Sequence, residues 1–135
     1  MIEGISHITF IVKDLELASD FFKVIFEAQE VYSSGDKLNS LSQEKFLSVG
    51  DTWICIMIGD SMPDKTYNHC AFKIDDKDFD LYIERIESLG LSILTGRPRV
   101  HGEGRSIYFH DYDNHLFELH TGTLEERLES YKDKQ

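Results

Sequence analysis

The stretch GISHITFIVKD, residues 4–14, recurs without gaps as TYNHCAFKIDD, residues 66–76. Both copies alternate apolar and polar side chains, which is the pattern of a β-strand with one buried face. A histidine stands at the same place in each copy, and His69 follows His7 by 62 positions. An internal repeat of this kind indicates two similar structural modules.

Each copy is followed by the pattern of one helix and further strands, and we interpret the whole as a βαβββ pattern that occurs twice. The predicted strands are residues 5–13, 31–33, two within 38–49, 52–58, 67–75, 91–94, 106–110 and 116–120. The first predicted helix is residues 15–27, with Asp14 as its N-cap. The second begins after a cap by Asp76 or Asp78 and ends at residue 89, before Gly90. The third is residues 123–131. Thr123 and Glu126 form a capping-box pair at the start of the last helix.

Two modules follow from this division, residues 1–62 and residues 63–135, the second of which includes the C-terminal helix. A module of about 60 residues is too small to bury a sheet alone, so the modules must pair. We predict an α+β fold in which paired βαβββ modules form a curved mixed β-sheet cup with helices outside. The sequence leaves open whether the modules pair within one chain or between chains.

The composition excludes several classes of function. A net charge of −11 argues against nucleic-acid binding. A local cluster of arginines, Arg97, Arg99 and Arg105, still permits a small anionic ligand. No apolar run approaches the ~18 residues of a membrane span, and the N-terminus lacks a secretory pattern. Cys55 and Cys70 lie in apolar strand patterns, typical of core residues in a reducing compartment. We therefore expect a cytoplasmic protein that binds neither nucleic acid nor membrane.

A carboxylate in mid-strand, Glu118, stands out in the stretch RSIYFHDYDNHLFELHTG, residues 105–122. Its position requires either solvent or a partner that makes burial tolerable. Strand parity places it on the same inward face as His7 and His69, and two imidazoles with one carboxylate suit an open site for Mn²⁺, Fe²⁺, Co²⁺, Ni²⁺ or Zn²⁺. The alternative is a pair of hydrogen-bonded strand histidines without a metal. The other four histidines have weaker claims, and His120 is expected either at the rim or behind the metal ligands.

The chain resembles the vicinal oxygen chelate superfamily of glyoxalase-like metalloenzymes. Within it, the chain is similar to the fosfomycin resistance proteins of the FosX type over nearly its whole length. The segments that carry the resemblance are SHITF at 6–10, YNH at 67–69, GEGRSIYF at 102–109, DYDNHLFELH at 111–120 and GTLEERL at 122–128.

The resemblance implies a metal-dependent enzyme, with Mn²⁺ as the expected metal, that opens the epoxide of fosfomycin and so confers antibiotic resistance. Two branches of the family open the epoxide with a thiol, and a third adds water at C1 to give a vicinal diol phosphonate. Glu44 matches the general base of the water-using branch, and Thr9 stands where the bacillithiol branch commonly has a cysteine. The hydrolase is therefore expected; the alternatives are a glutathione or bacillithiol transferase and a metal-free drug-binding module.

The same resemblance implies a pocket for the phosphonate. Its expected residues are Thr9, Tyr67, Arg99, Ser106, Tyr108 and Arg127. The register near Arg97 and Arg99 leaves open which of the two meets the phosphonate, and Arg99 is preferred. The family also pairs modules between chains, which implies a homodimer with His7 from one subunit and with His69 and Glu118 from the other.

Overall fold

A computed structural model of the chain describes residues 1–132. The chain divides into two compact units: unit 1 comprises residues 1–65 and 111–115, and unit 2 comprises the rest. Each unit has its own four-stranded sheet. Among residues 1–132, no helix combines the length and the apolar character that crossing a membrane requires.

Unit 1 has the predicted βαβββ order. Its elements are β1 His7–Val12, α1 Leu15–Phe26, β2 Gln29–Ser33, β3 Glu44–Val49 and β4 Thr52–Ile58. The sheet order is β1-β4-β3-β2, in which β1 runs parallel to β4 and the other pairs are antiparallel.

One predicted strand is absent from unit 1. Only the second of the two strands expected within residues 38–49 forms, as β3. Residues 34–43 make turns and bends instead, and Leu38 and Leu41 are exposed. The Ser, Gly, Asp and Asn residues of this segment favour turns, and two isolated leucines do not make an alternating apolar face.

The two faces of the unit 1 sheet have different roles. Helix α1 begins at Asp14, whose Oδ1 accepts from the Leu17 backbone N–H at 3.0 Å. Its apolar side packs on β3 and β4. The buried side chains of α1 and of this sheet face include Ala18, Phe21, Phe22, Ile25, Leu47, Ile54 and Ile56. Because side chains alternate along a strand, the opposite face carries His7, Thr9 and Glu44, with Cys55 beside Thr9 in register.

Unit 2 repeats this topology. Its elements are β5 His69–Lys73, a 3₁₀ turn Asp76–Asp78, α2 Phe79–Ser88, β6 Ile93–Leu94, β7 Ser106–His110, β8 Leu116–His120 and α3 Leu124–Lys132. The sheet order β5-β8-β7-β6, with β5 parallel to β8, matches that of unit 1 strand for strand. The two-fold βαβββ pattern read from the sequence is therefore present in the structure.

The helix ends of unit 2 follow the sequence signals with one difference. Asp78 occupies the N-cap position of α2 as predicted, but its side chain makes no capping hydrogen bond. Asp75 caps the preceding 3₁₀ turn, because its Oδ1 accepts from the Lys77 backbone N–H at 3.0 Å. Gly90, at φ +73°, ends the α2 segment as predicted. At α3, the capping-box pair forms as predicted, with its two reciprocal bonds at 3.0 and 3.2 Å.

Strand register sets which side chains of unit 2 share a face. Tyr108 lies opposite Glu118 between β7 and β8, and Ser106 lies opposite His120. His69 is on the same face of neighbouring β5. The other face carries the apolar core, with the buried residues Ile107, Phe109, Phe117 and Leu119.

Candidate active site

His69 and Glu118 form the centre of the candidate site in unit 2. The Nε2 atom of His69 lies 2.9 Å from Oε1 of Glu118. The other ring nitrogen, Nδ1, lies 2.7 Å from the backbone carbonyl of Tyr67. A carbonyl oxygen only accepts, so Nδ1 carries the hydrogen and donates it. This bond orients the ring and directs Nε2 at the carboxylate.

The pair has the chemistry of two metal ligands. A ligating histidine commonly donates its second N–H to a carbonyl or carboxylate, and Tyr67 supplies that acceptor for His69. Ligand bonds of ~2.0–2.2 Å at a right angle put two ligand atoms about 3 Å apart, close to the distance seen between His69 and Glu118. The residues present therefore fit a divalent metal of the class that accepts nitrogen and oxygen ligands.

The third predicted ligand, His7, lies in unit 1. Its ring stacks on Trp53 with a centroid separation of 4.1 Å, and its Nδ1 lies 3.0 Å from Oγ of Ser6. In the described part of either unit, no group of three His, Cys, Asp or Glu side chains assembles as a metal site. Unit 2 thus contains two of the three predicted ligands, and unit 1 presents the third on an exposed position of its sheet.

Glu118 is held as a carboxylate despite its burial. Burial alone would raise its pKa, but hydrogen bonds from Ser106 and Tyr108 and the charges of His69 and Arg99 outweigh burial and lower the pKa below its usual value. The Ser106 hydroxyl donates to Oε2 at 2.6 Å. An ionised carboxylate is the form that a metal requires.

Arg99 and two tyrosines lie beside this pair. The Nη2 atom of Arg99 donates to Oη of Tyr108 at 2.9 Å and lies 3.5 Å from Oε2 of Glu118. The hydroxyl of Tyr67 lies 3.3 Å from that of Tyr108. Burial raises the pKa of Tyr108 to about 12, with help from the Tyr67 hydrogen bond. Tyr108 is therefore a neutral hydroxyl donor at neutral pH.

A cavity of about 360 Å³ opens next to Tyr108. It is lined by Tyr67, Leu94, Thr95, Gly96, Arg97, Tyr108 and Leu116. Arg97 reaches this cavity, whereas Arg99 is the arginine in contact with Tyr108 and Glu118. The structure therefore brings Arg99, the preferred of the two, next to the candidate metal ligands.

Ser106, His120 and Arg127 form a chain of polar contacts behind Glu118. Because the single Ser106 proton goes to Glu118, Nδ1 of His120, at 2.7 Å from Oγ, must be the donor to Ser106. Nε2 of His120 is then free to accept from Nη2 of Arg127 at 3.4 Å. Burial lowers the pKa of His120, with Glu118 acting in the opposite direction, which agrees with a neutral ring. His120, expected at the rim or behind the metal ligands, contacts Glu118 through Ser106.

Glu44, the predicted general base, lies in unit 1 on the same sheet face as Thr9. Its side chain is buried at 6% exposure, and its Oε1 accepts from Sγ of Cys55 at 3.4 Å. Burial raises the pKa of Cys55 to about 11, and the Glu44 carboxylate adds to the shift. The thiol is thus a neutral donor that holds one oxygen of Glu44. From the sequence, Cys55 was expected only as a core residue. In the structure, Cys55 lies opposite Thr9 on the neighbouring strand, and its side chain is therefore on the polar face of the sheet.

Two aspartates of the β7–β8 turn were not recognised from the sequence as structural residues. Oδ1 of Asp113 accepts from the Lys13 backbone N–H at 3.0 Å and from Oγ of Ser61 at 2.6 Å. Oδ1 of Asp111 accepts from the backbone N–H groups of Asp113 and His115 at 2.9 and 2.8 Å. These bonds explain why the turn between Tyr108 and Glu118 is rich in Asp and Asn.

Comparison with known proteins decides the family. Residues 4–119 match the Glyoxalase/Bleomycin resistance protein/Dioxygenase superfamily. The chain is 63% identical over 131 residues to the fosfomycin resistance protein FosX of Listeria monocytogenes, and the match covers 97% of this chain and 98% of that protein. The chain belongs to the FosX family. The predicted resemblance is confirmed.

Solved FosX proteins share the fold. A FosX variant from Listeria monocytogenes, in complex with Mn(II) and 1S,2S-dihydroxypropylphosphonic acid, matches with a TM-score of 0.89 and 56% identity, over 97% of this chain and 99% of that one. The predicted α+β fold is therefore confirmed. The metallothiol transferase FosB of Staphylococcus epidermidis is more distant, at 39% identity over 135 residues, 97% of this chain and 90% of that protein.

Proposed function

We propose that the chain is a divalent-metal-dependent enzyme that opens the epoxide of fosfomycin by adding water at C1. The product is a vicinal diol phosphonate, and the consequence is fosfomycin resistance. The observation that carries the proposal is the His69–Glu118 pair, with Nδ1 of His69 tied to a carbonyl and Arg99 and Tyr108 alongside. The FosX relative in complex with Mn(II) and a dihydroxypropylphosphonic acid supports the same metal and the same kind of product.

His7, His69 and Glu118 would hold the metal. When bound, a divalent ion supplies Lewis-acid activation of the epoxide oxygen and a template for the phosphonate. The chain's own contribution is to present two imidazole nitrogens and an ionised carboxylate. The Tyr67 carbonyl fixes the His69 tautomer, and Ser106 helps to keep Glu118 ionised.

The phosphonate is a dianion and needs charged and hydroxyl donors. Arg99 provides a guanidinium, and Tyr108 and Tyr67 provide hydroxyls whose oxygens lie 3.3 Å apart. Charge-assisted hydrogen bonds of this kind are about twice as strong as neutral ones. Ser106, Arg127 and Thr9 are the remaining expected donors. In this proposal a chain with a net charge of −11 holds its anionic substrate through a local basic cluster.

Glu44 would act as the general base. Water is a weak nucleophile near neutral pH, and a carboxylate that accepts its proton during the attack accelerates the step. The water oxygen forms a bond to C1 as the C1–O bond of the epoxide breaks, with inversion at C1. The proton of the water passes to Glu44, which then releases it to solvent, and the oxygen left on C2 takes a proton from solvent to become the second hydroxyl. Cys55 orients the base through its bond to Oε1.

Two copies of the chain would share each site. Unit 2 contains only two of the three ligands, and His7 stands exposed on the unit 1 sheet. We therefore extend the proposal to a homodimer in which His7 of one subunit completes the site of His69 and Glu118 from the other. The modules 1–62 and 63–135 would then act together as one catalytic domain. A cytoplasmic location accords with two free thiols, Cys55 and Cys70.

The test is a product assay without thiols. Purified protein with Mn²⁺ and fosfomycin should convert the epoxide to the diol. ³¹P NMR and mass spectrometry measure the conversion. His69→Ala serves as the matched control and should be inactive. If the wild type is inactive alone but forms an adduct once glutathione or bacillithiol is added, the chain is a thiol transferase and the proposal is wrong.

A further inference from the structure

A fully buried carboxylate, Glu103, lies in the loop between β6 and β7. Its side chain is 0% exposed, and its Oε1 lies 2.8 Å from Nη1 of Arg97 and 3.1 Å from Nη1 of Arg99. Its Oε2 atom has no hydrogen-bond partner among residues 1–132. A buried carboxylate is costly unless paired. Burial would raise the pKa of Glu103, but the two arginines outweigh burial and lower it.

The two arginines differ in what else they contact. Arg97 donates to the carbonyl of Pro98 at 3.2 Å, and its side chain is 37% exposed. Arg99 is 18% exposed, and its Nη2 reaches Tyr108 at 2.9 Å and Glu118 at 3.5 Å. The Arg99 guanidinium therefore connects Glu103 with the candidate site, because its planar fork can hold one anion while a second edge faces another.

The backbone next to Glu103 has little freedom. Gly104 adopts φ +93°, and a Cβ there would lie 2.7 Å from the backbone nitrogen of Gly122. The Arg105 backbone N–H donates to Oγ1 of Thr121 at 2.9 Å, and the Arg105 carbonyl accepts from the Thr121 N–H at 3.0 Å. The loop is thus anchored at the end of β8, and Glu103 is an anion at a fixed place to which the arginine side chains adapt.

We propose that Glu103 is a positioning residue for Arg99 and thereby sets the affinity of the enzyme for the phosphonate. The inference rests on the proposed function, in which Arg99 binds that group. Glu103 and Glu118 lie on either side of the same guanidinium, at 3.1 and 3.5 Å. Without the charge of Glu103, Arg99 pairs with Glu118 and turns away from the phosphonate. Glu103 thus keeps the guanidinium available to substrate and keeps Glu118 available to the metal.

Glu103→Gln tests this inference because it removes the charge and keeps the shape. We expect KM for fosfomycin to rise about 10-fold, the loss that an oriented charged hydrogen bond predicts, with kcat changed less than about 3-fold. Glu103→Asp should recover part of the effect. Asp76→Asn is the matched control, since it breaks the exposed Asp76–Arg105 ion pair, 2.9 Å long, in the same unit. It should leave KM unchanged.

A double-mutant cycle separates positioning from a general structural effect. In an Arg99→Ala background, Glu103→Gln should change KM by less than about 2-fold, because the group that it positions is gone. An equal rise of KM in the two backgrounds would overturn the inference. So would an unchanged KM in Glu103→Gln.

A binding measurement keeps this test independent of turnover. Titration of the Zn²⁺-loaded protein with methylphosphonate, which carries no epoxide and is not turned over, should show weaker binding to Glu103→Gln than to the wild type and unchanged binding to Asp76→Asn when it is followed by ³¹P NMR. Equal binding by all three proteins contradicts the inference even if the wild type proves to be a thiol transferase. A wild type that fails to form the diol but shows the predicted order of binding contradicts only the proposed hydration. Thermal unfolding of each variant identifies loss of fold as the cause of any loss of binding.

Discussion

The Sγ atom of Cys55 lies 3.4 Å from Oε1 of Glu44, and both side chains are buried. A thiol whose pKa is raised to about 11 stays protonated at neutral pH and can only donate in this contact. The proposed base therefore has one oxygen held by a weak, neutral donor. Such a contact fixes the direction of the carboxylate without the strong stabilisation of its charge that a cation would provide.

Removal of the Cys55 thiol should slow hydration without abolishing it. Cys55→Ala should lower kcat roughly 3- to 10-fold, because a net hydrogen bond contributes ~0.5–1.5 kcal/mol. Cys55→Ser keeps a donor at the same place and should stay closer to the wild type. Initial rates of diol formation measure the difference. A Cys55→Ala enzyme as fast as the wild type would show that Glu44 needs no donor there.

Protein stability should depend on the Cys55 thiol at high pH. The pKa of Cys55, about 11 in the folded protein, exceeds the usual thiol value. Folding therefore favours the protonated form, so the stabilisation is complete below about pH 8.5 and is lost as the pH rises toward about 11.

Urea unfolding at pH 8, 9 and 10 checks this dependence. The free energy of unfolding of the wild type should fall more steeply with pH than that of Cys55→Ala or Cys55→Ser, since neither variant can ionise there. Parallel curves for the three proteins would contradict the raised pKa.

Loss of the proposed base should separate catalysis from metal binding. Glu44→Gln should lower the hydration rate by about 10²–10⁴-fold, the usual contribution of a general base, with an unchanged affinity for Mn²⁺. Electron paramagnetic resonance of free Mn²⁺ measures that affinity. His69→Ala is the comparison, because it should lose metal and activity together. Near-normal turnover by Glu44→Gln would mean that another group takes the proton.

A shared metal site predicts complementation between two inactive variants. His7→Ala and Glu118→Gln should each be inactive as homodimers. In a mixed dimer, the intact His7 of the Glu118→Gln subunit meets the intact His69 and Glu118 of the His7→Ala subunit and restores one site. Random mixing after unfolding and refolding should recover about a quarter of the wild-type activity. If His7 serves the site of its own chain, every site stays defective and the mixture remains inactive.

Local patterns in the sequence were enough to predict the repeated βαβββ order and the strand faces on which the site residues lie. A gapless repeat and a period-two pattern are local signals, and they placed His7, His69 and Glu118 on the strand faces opposite the apolar core of each sheet. Capping chemistry is equally local, which is why Asp14 and the Thr123–Glu126 pair were predicted correctly. Local signals failed at residues 34–43, where turn residues prevented a strand.

The contacts between side chains could not be predicted from the sequence, because they depend on how strands and loops pack together. Glu103 and Arg99 are close in sequence, yet the contact of Arg99 with Tyr108 and Glu118 depends on the path of an irregular loop, which has no periodicity to read. The contact of Cys55 with Glu44 depends on the register between β3 and β4. The pairing of the two backbones sets that register, and the sequence of either strand alone does not reveal it. The residue types alone indicated the chemistry of the site. Which of these side chains contact one another was set by the packing of strands and loops that are distant in sequence.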